Sequence, residues 1–221
     1  MKRRQAVEER AARVVATLHR LYPDATCALT HDSALQLLVA TILSAQCTDE
    51  RVNQVTPALF RAYPDARSLA TADTLAMEAA IRPTGFFRNK AKALIGLGRA
   101  LVEKHGGAVP DSMEELAALP GVGRKTANVV LGTWFGKPAI PVDTHVTRLS
   151  GRLALTESTD PVRIEQDLMA LLPESEWTYT SHALIWHGRR VCKALRPDCP
   201  SCGLRPDCPW PARAARAKRV R

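Results

Sequence analysis

The sequence predicts an all-α fold, and three observations support that class. Apolar and polar residues almost never alternate with the period of a β-strand, whereas apolar residues recur with helical spacing along most of the chain. Helix start and stop signals bound these segments: Asp160-Pro161 joins an N-cap to a first-turn proline, and Gly106-Gly107 closes a long helical pattern. With 221 residues and 46% hydrophobic content, the chain can bury the core of one large domain or two small ones.

Helical patterns cover most of the chain. In chain order, the predicted helices are 6–21, 33–45, 48–63, 74–82, 87–105, 113–118, 125–135, 143–153, one that begins at 160, and 176–190. The second of them, 33–45, is apolar on almost every side and is predicted to be a buried central helix. Pro57 is expected to disturb the third, because a proline inside a helix removes a hydrogen bond. Ser112 and Glu115 form a capping-box pattern at the start of 113–118.

The charge of the chain favours a polyanionic partner. The net charge is +9, and basic residues cluster at 2–4 and 213–221. Nucleic acid is the natural partner for such a chain, although basic ends are as often simply solvated. No run of about eighteen apolar residues occurs, and the N-terminus lacks the apolar stretch of a secretory signal. We therefore expect a cytoplasmic protein with no membrane partner.

Four of the six cysteines lie close together near the end of the sequence, at Cys192, Cys199, Cys202 and Cys208. Without a secretory signal a disulfide framework is not expected, so these thiols are candidate metal ligands. Zinc ribbons normally carry two C-x2-C pairs, whereas this segment has one such pair flanked by single cysteines. The asymmetry suits a four-iron cluster, in which each iron needs one thiolate, and a single zinc ion is the alternative. The other two cysteines are expected to be ordinary buried thiols.

A turn with two glycines, Gly121-Val122-Gly123, precedes the helix that begins near Lys125. The stretch GVGRKT superficially resembles a phosphate-binding P-loop, but the P-loop spacing fails at Arg124 and no strand leads into the turn. Backbone N–H groups in such a turn can instead hold one phosphate of a nucleic-acid strand. A plain glycine cap between two helices is the alternative, and it explains Gly121 but not Lys125.

Lys125 and Asp143 are the candidate catalytic residues. Asp143 stands in the motif PVDTH immediately before a predicted helix, where an aspartate usually serves only as an N-cap. Beside a nucleophilic lysine, a carboxylate has a second possible use, because it can move a proton and stabilise a cationic sugar. Chemistry on a nucleic-acid sugar is one use for the pair, and a plain N-cap is the alternative for Asp143.

Several motifs together resemble the endonuclease III family, the DNA glycosylases and AP lyases of the helix-hairpin-helix superfamily. The motifs are LPGVGRKTANVVL, LSAQCTDERVN, VDTHVTRLSGR and the spaced cysteines, and the resemblance covers about 9–208. It implies two helical domains with the active site in the cleft between them. One is a six-helix barrel at 27–137, and the other joins 1–26 to 138–221 and holds a [4Fe-4S] cluster on the four cysteines. By the same resemblance, Lys125 is the nucleophile and Asp143 is the essential carboxylate.

The resemblance also assigns residues to DNA binding. Gln46 matches the residue that fills the gap left by an extruded base, and Phe86 matches an apolar wedge that interrupts the opposite strand. Their plain alternatives are a polar residue at a helix end and a core aromatic. The other DNA-contact candidates are Thr84, Gly121, Gly123, Arg124 and His145.

Three departures from the family pattern concern base preference rather than the chemistry. The family's wedge is often aliphatic, Pro83 and Thr84 stiffen the approach to Phe86, and Cys47 stands where small residues are common.

The function implied by the resemblance is base excision repair. The enzyme would flip an oxidised pyrimidine out of double-stranded DNA, remove it, and cleave 3′ to the abasic site by β-elimination through a lysine Schiff base. A lysine attacks only as the free amine, which an ordinary lysine provides in about one molecule in a few thousand at neutral pH. We therefore expect Lys125 to be partly shielded from solvent and within reach of Asp143. The protein is expected to be a monomer, associated with the nucleoid if its source is bacterial.

Two rival interpretations differ in the residues they need. Mismatch-specific adenine glycosylases of the same superfamily use a glutamate near the start of the central helix, and no carboxylate occurs between Ser33 and Gln46. A non-catalytic helix-hairpin-helix module stapled by a metal needs the glycines and the basic charge. It has no use for Lys125 and Asp143 together.

Overall fold

The computed structural model describes residues 2–212, and within that range the chain is helical without a β-strand. The α-helices are α1 Lys2–Leu21, α2 Ala34–Leu43, α3 Asp49–Ala62, α4 Ala66–Ala70, α5 Thr74–Ile81, α6 Phe87–His105, α7 Met113–Ala117, α8 Arg124–Thr133, α9 Thr144–Arg152, α10 Pro161–Leu171 and α11 Trp177–Arg190. Short 3-10 helices occur at Arg82–Thr84, Glu174–Glu176 and Arg205–Asp207. The all-α prediction is confirmed. The basic cluster at 213–221 lies outside the described residues.

The chain divides into two compact units. Cys27–Lys137 forms one of them, called here the continuous unit. Met1–Thr26 and Pro138–Arg221 form the other, called the discontinuous unit because it is made from both ends of the chain. Among the described residues, no helix is both long and apolar enough to cross a bilayer.

The continuous unit is built around α2. Residues 37–43 of this helix are all buried, as its nearly unbroken apolar sequence predicts. Helices α3, α6 and α8 pack against it. A close helix–helix approach occurs at Gly98 on α6, where a Cβ would lie 2.5 Å from the backbone nitrogen of Ala70, so α4 packs directly on the glycine.

The discontinuous unit has its own apolar core, which joins α1 to helices from the end of the chain. Val14 and Leu18 of α1 are fully buried with Val146 of α9 and Leu184 of α11. Leu204, from the cysteine segment, belongs to the same cluster and is also buried. The first helix therefore has its partners more than a hundred residues away in the sequence.

Two local predictions need revision. The five-residue helix α4 was not predicted, because it is too short for a periodic pattern; the available signal was the capping box of Asp65 and Ser68. Helix α3 runs through Pro57 without a break. Pro57 is exposed, so water can satisfy the carbonyl that loses its backbone donor.

Candidate functional site

The glycine turn before α8 presents an open helix N-terminus. Gly121 has a φ of +77°, and a Cβ there would lie 2.8 Å from the Cβ of Ala93, so only glycine fits. Gly123 is the N-cap residue and supplies no side-chain hydrogen bond to the helix. The first N–H groups of α8 are thus left without a side-chain cap, and they can bind an anion such as a phosphate.

Arg124 and Lys125 open α8, and both side chains are exposed. The expectation that burial shields Lys125 is therefore wrong for the protein without DNA. The reason is positional, because the first turn of α8 follows an exposed glycine turn and projects the lysine toward solvent. The expected proximity of Lys125 to Asp143 stays a prediction.

Asp143 caps α9, as its position in the sequence suggests. Its Oδ1 accepts hydrogen bonds from the backbone N–H groups of His145 and Val146, each at 2.8 Å. Asp143 is half-buried, and the buried residue Val142 precedes it. Both capping bonds use Oδ1, so within the described chain Oδ2 is the oxygen that can meet a substrate.

His145 packs between α9 and α11 in the discontinuous unit. Its Nδ1 lies 3.0 Å from Nη2 of Arg148, which also donates to the Gly188 carbonyl at 3.1 Å. A Cβ at Gly188 would lie 2.7 Å from the same Nδ1, so this glycine makes room for the ring. Burial lowers the pKa of His145, and Arg148 lowers it further, whereas Asp143 acts in the opposite direction. These contacts give His145 a structural role, and a DNA contact through it stays a prediction.

Gln46 and Phe86 share an unusual backbone conformation in the continuous unit. Their φ angles are +53° and +48°, in the left-handed region that side chains other than glycine rarely adopt. Both side chains are exposed, Phe86 to 61%, which excludes the alternative of a core aromatic. Gln46 lies beyond the end of α2, in a turn, rather than on the helix. Strained backbone at exposed residues is more common at functional sites than elsewhere.

Thr84 does not offer its side chain to DNA in this conformation. The residue is 2% exposed, and its hydroxyl donates to the Ile81 carbonyl at 2.8 Å. Its own carbonyl accepts a hydrogen bond from Nζ of Lys90, also at 2.8 Å. The assignment of Thr84 to DNA contact is therefore wrong for its side chain, which stabilises the turn before Phe86 instead.

Lys90 is a buried residue that the sequence analysis missed. It is 5% exposed, and besides Thr84 its Nζ donates to the Leu43 carbonyl at 2.8 Å. Burial lowers the pKa of Lys90, and the nearby Cys47 acts in the opposite direction. A signal was available, because Lys90 shares its helical face with the buried residues Leu94 and Leu101 of α6.

The four candidate metal ligands lie together in the discontinuous unit. One small cavity is lined by Cys192, Cys199, Cys202 and Cys208, with Val191 and Trp210 beside them. Burial raises the pKa of Cys202 and of Cys208, and the neighbouring cysteines raise both further. As thiolates, four sulfur atoms around one cavity would repel one another without a cationic centre, so this donor set fits a metal group.

Two buried side chains contact the sulfur atoms of this site. Nη1 of Arg152 lies 3.2 Å from Sγ of Cys192, and Nε2 of His187 lies 3.3 Å from Sγ of Cys202. His187 is 1% exposed, its Nδ1 pairs with the Tyr22 hydroxyl at 2.9 Å, and burial lowers its pKa to about 4. His187 is thus a packing residue that no phosphate can reach in this conformation.

Comparison with known proteins gives a consistent result. The family model described as "HhH-GPD superfamily base excision DNA repair protein" matches residues 39–174. Endonuclease III from Synechocystis sp. is 55% identical over 203 residues, which are 91% of this chain and 93% of that protein. Endonuclease III from Escherichia coli is 39% identical over 189 residues, covering 86% and 90% of the two chains.

Solved structures extend the similarity to complexes with DNA. A non-covalent endonuclease III–DNA complex has a TM-score of 0.91 at 42% identity, covering 95% of this chain and 98% of that one. A trapped endonuclease III–DNA covalent intermediate has a TM-score of 0.90 at 41% identity, covering 94% and 98%. The resemblance inferred from the motifs is confirmed across nearly the whole chain.

Proposed function

The chain belongs to the endonuclease III family within the HhH-GPD superfamily of base excision DNA repair proteins, and we propose that it is a bifunctional DNA glycosylase and AP lyase. Its substrate is double-stranded DNA that carries an oxidised pyrimidine or an abasic site. One observation carries the proposal: the chain resembles, over nearly its whole length, an endonuclease III that has been trapped in covalent linkage to DNA. A covalent intermediate is what a lyase forms and what a binding module does not form.

Lys125 is the nucleophile in this proposal. Its amine attacks C1′ of the deoxyribose, and the base leaves with the electron pair of the glycosidic bond. The sugar ring then opens to an imine that acidifies the 2′ hydrogen, and loss of that proton breaks the bond between C3′ and its oxygen. The strand is thereby cut on the 3′ side of the lesion.

The exposure of Lys125 decides where its activation comes from. The start of α8 disfavours an ammonium ion by only about 0.3–1 kcal/mol, so the helix end supplies only a small part of the activation. Desolvation must therefore supply the larger part, and for an exposed side chain it comes from the DNA that covers it. In this proposal, the free amine becomes common only in the complex.

Asp143 is assigned to stabilise the positive charge that grows on the sugar and to accept a proton. Its Oδ1 is occupied as the cap of α9, so we assign this role to Oδ2. The cap fixes the carboxylate in one orientation, which is what electrostatic stabilisation of a transition state requires.

The proposed DNA contacts involve the open turn before α8 and the exposed residues Gln46 and Phe86, whose backbone is in the left-handed conformation. Backbone N–H groups at the start of α8 hold a phosphate of the strand. Gln46 fills the space left by the flipped nucleotide, and Phe86 enters the opposite strand. Filling this space offsets unstacking, which costs a few kcal/mol.

A [4Fe-4S] cluster is the metal centre that we assign to Cys192, Cys199, Cys202 and Cys208. When bound, the cluster supplies four cationic attachment points that fix the segment around these cysteines. All four cysteines border one cavity, and their sequence has a single C-x2-C pair flanked by single cysteines. This arrangement favours a cluster with a separate corner for each thiolate over a single zinc ion.

We also propose that the protein is a monomer and that it acts on nucleoid DNA in the cytoplasm. The location rests on the bacterial origin of the relatives. The monomeric state rests on the family resemblance alone.

Borohydride trapping tests the proposal, because reduction fixes an imine as a covalent link. The protein should become covalently attached to an oligonucleotide with a single abasic site, and Lys125→Gln should bind the same DNA without attachment. Lys104→Gln, which removes an exposed lysine from α6, serves as the matched control and should trap like the parent protein. Trapping and cleavage by Lys125→Gln at the parental rate would disprove the assigned nucleophile. Iron and acid-labile sulfide in the purified protein would support the cluster, and one zinc ion per chain would contradict it.

A further inference from the structure

A single buried ammonium group joins two turns of the continuous unit. Nζ of Lys90 donates to the Leu43 carbonyl and to the Thr84 carbonyl, each at 2.8 Å. Leu43 is the last residue of α2, and Thr84 is the last residue of the 3-10 helix Arg82–Thr84. Because one nitrogen contacts both oxygens, the ends of these two helices are held close together.

The site suits a cation for a simple electrostatic reason. Carbonyl groups at the C-terminal end of a helix lack backbone donors and carry partial negative charge. At the end of α2, the Ala40 and Ile42 carbonyls accept from backbone N–H groups of the following turn, and the Leu43 carbonyl accepts from Lys90 instead. The lysine therefore supplies a missing donor to two helix ends at once.

Each of these ends leads directly into a candidate DNA-penetrating residue. Gln46 stands three positions after Leu43, and Phe86 stands two positions after Thr84. Both residues are exposed and left-handed, a strained conformation that persists only when the surrounding structure enforces it. The local hydrogen bonds are short-range: the Cys47 N–H donates to the Ser44 carbonyl, and the Gly85 N–H donates to the Arg82 carbonyl. These bonds shape each turn separately, whereas the bonds of Lys90 connect one turn to the other.

Filling space on the buried face of α6 does not by itself explain a lysine at this position. The rest of the buried face of α6 is apolar, including Leu94, Leu97 and Leu101. A residue such as methionine would fill similar space without the desolvation of a charged group, and such replacements of buried charges are often tolerated. What methionine cannot supply is a pair of hydrogen bonds to two carbonyls.

We propose that Lys90 is a positioning residue that sets the spacing between Gln46 and Phe86, so that both enter the duplex together during extrusion of the damaged nucleotide. The inference rests on the proposed function, because the spacing matters only if these residues penetrate DNA. Lys90 touches no substrate atom in this proposal. It acts through the two turns.

The test compares two substrates, of which only one requires a nucleotide to be extruded from a duplex. One is a duplex with a single oxidised pyrimidine, measured by the single-turnover rate of base removal. The other is a single-stranded oligonucleotide with one abasic site, measured by the rate of borohydride trapping, which needs no extrusion from a duplex. Lys90→Met should slow the first reaction by about tenfold or more and change the second by less than about twofold, since small displacements of positioned groups produce losses of this size. Lys92→Met, which removes an exposed lysine from the same helix, should match the parent on both substrates.

The possible results separate this proposal from the proposed function. A parent protein that acts on neither substrate would disprove the function itself. An active parent together with equal losses on both substrates for Lys90→Met, or no loss on either, would overturn the positioning role. If Lys90→Met does not fold, Lys90→Arg replaces it, because the guanidinium keeps the charge but not the geometry of the two bonds. Lys90→Arg should then lose rate selectively on the duplex, and parental rates on both substrates would overturn the proposal.

Discussion

The two compact units are stabilised in different ways. In the continuous unit, apolar helices pack on one another so closely that α4 touches α6 at a glycine. In the discontinuous unit, four helices share an apolar core, but the segment after α11 has little helix and is held by polar groups. Arg152 donates to the carbonyls of Lys193 and Ala194 at 2.9 Å and 2.8 Å, as well as to the Cys192 sulfur. Close helix packing therefore dominates in the first unit, whereas in the second the segment after α11 depends also on the hydrogen bonds of Arg152.

The two helix N-termini that carry the candidate catalytic residues also differ, in how their backbone N–H groups are capped. Helix α8 begins after Gly123 with no side-chain cap, and its N–H groups are available to a ligand. Helix α9 begins at Asp143, whose carboxylate satisfies two N–H groups. The start of α8 can therefore bind an anion from a ligand, whereas the start of α9 is already capped by the carboxylate of Asp143.

The largest expected effect is that of removing the proposed metal centre from the discontinuous unit. Iron chelation, or Cys202→Ala, should abolish hydrogen-exchange protection around 191–208 and leave the continuous unit protected. Structural metal centres in small domains contribute on the order of 10 kcal/mol to folding. Cys27→Ala, at a half-buried thiol of the continuous unit, should keep the iron and serves as the control. Unchanged protection in the iron-free protein would show that polar contacts alone order this segment.

Arg152→Met should lower the affinity of the protein for the proposed cluster without removing a ligand. Residues that hydrogen-bond to metal ligands typically contribute about 10–100-fold to metal affinity, so iron release to a chelator should accelerate by about this factor. The matched control is Arg163→Met on α10, which removes an exposed arginine from the same unit. Release at the parental rate would mean that the three hydrogen bonds of Arg152 do not restrain the cysteines.

Gly98→Ala should affect the continuous unit alone. The added Cβ would lie 2.5 Å from the Ala70 nitrogen and 2.7 Å from the Ala66 carbonyl oxygen, so the two helices must separate. The expected loss is about 1–3 kcal/mol in the free energy of unfolding, measured by urea denaturation, with unchanged iron content. Gly151→Ala on α9 meets no atom within 4 Å and should be neutral or stabilising. Equal stability of the two variants would show that α4 and α6 separate without a measurable loss.

The smallest expected effect on stability concerns the N-cap of α9, and two substitutions of Asp143 distinguish its capping role from its catalytic role. Asp143→Ala should cost about 1 kcal/mol of stability and also abolish turnover, whereas Asp143→Asn should retain the cap and still lose turnover. Asp160→Ala removes the matching cap from α10, where Oδ1 accepts from the Arg163 N–H at 2.8 Å, and should cost similar stability at full activity. Denaturation midpoints and single-turnover rates on one lesion duplex measure both effects. Normal turnover by Asp143→Asn would show that Asp143 serves only as the N-cap of α9.

Local patterns and specific motifs made most of the helices, the family and the function predictable from the sequence. The position of a side chain relative to solvent was harder to predict, because it depends on how helices meet. Lys125 was expected to be shielded and is exposed, whereas Thr84 was expected at the DNA surface and is buried. The helical face of Lys90 indicated its burial, but its two hydrogen-bond partners could not be predicted, because every residue carries a backbone carbonyl. The grouping of four cysteines around one cavity was easier to predict, because their spacing is visible in the sequence, and their role as cluster ligands stays a prediction.

The division of the chain has a consequence for synthesis in the cell. The continuous unit, Cys27–Lys137, can fold as soon as it leaves the ribosome, because all of its partners are already translated. Helix α1 emerges before it, yet its apolar face must wait for α9, α10 and α11. During that interval the newborn protein is one folded unit preceded by an amphipathic helix whose core partners have not yet been synthesised.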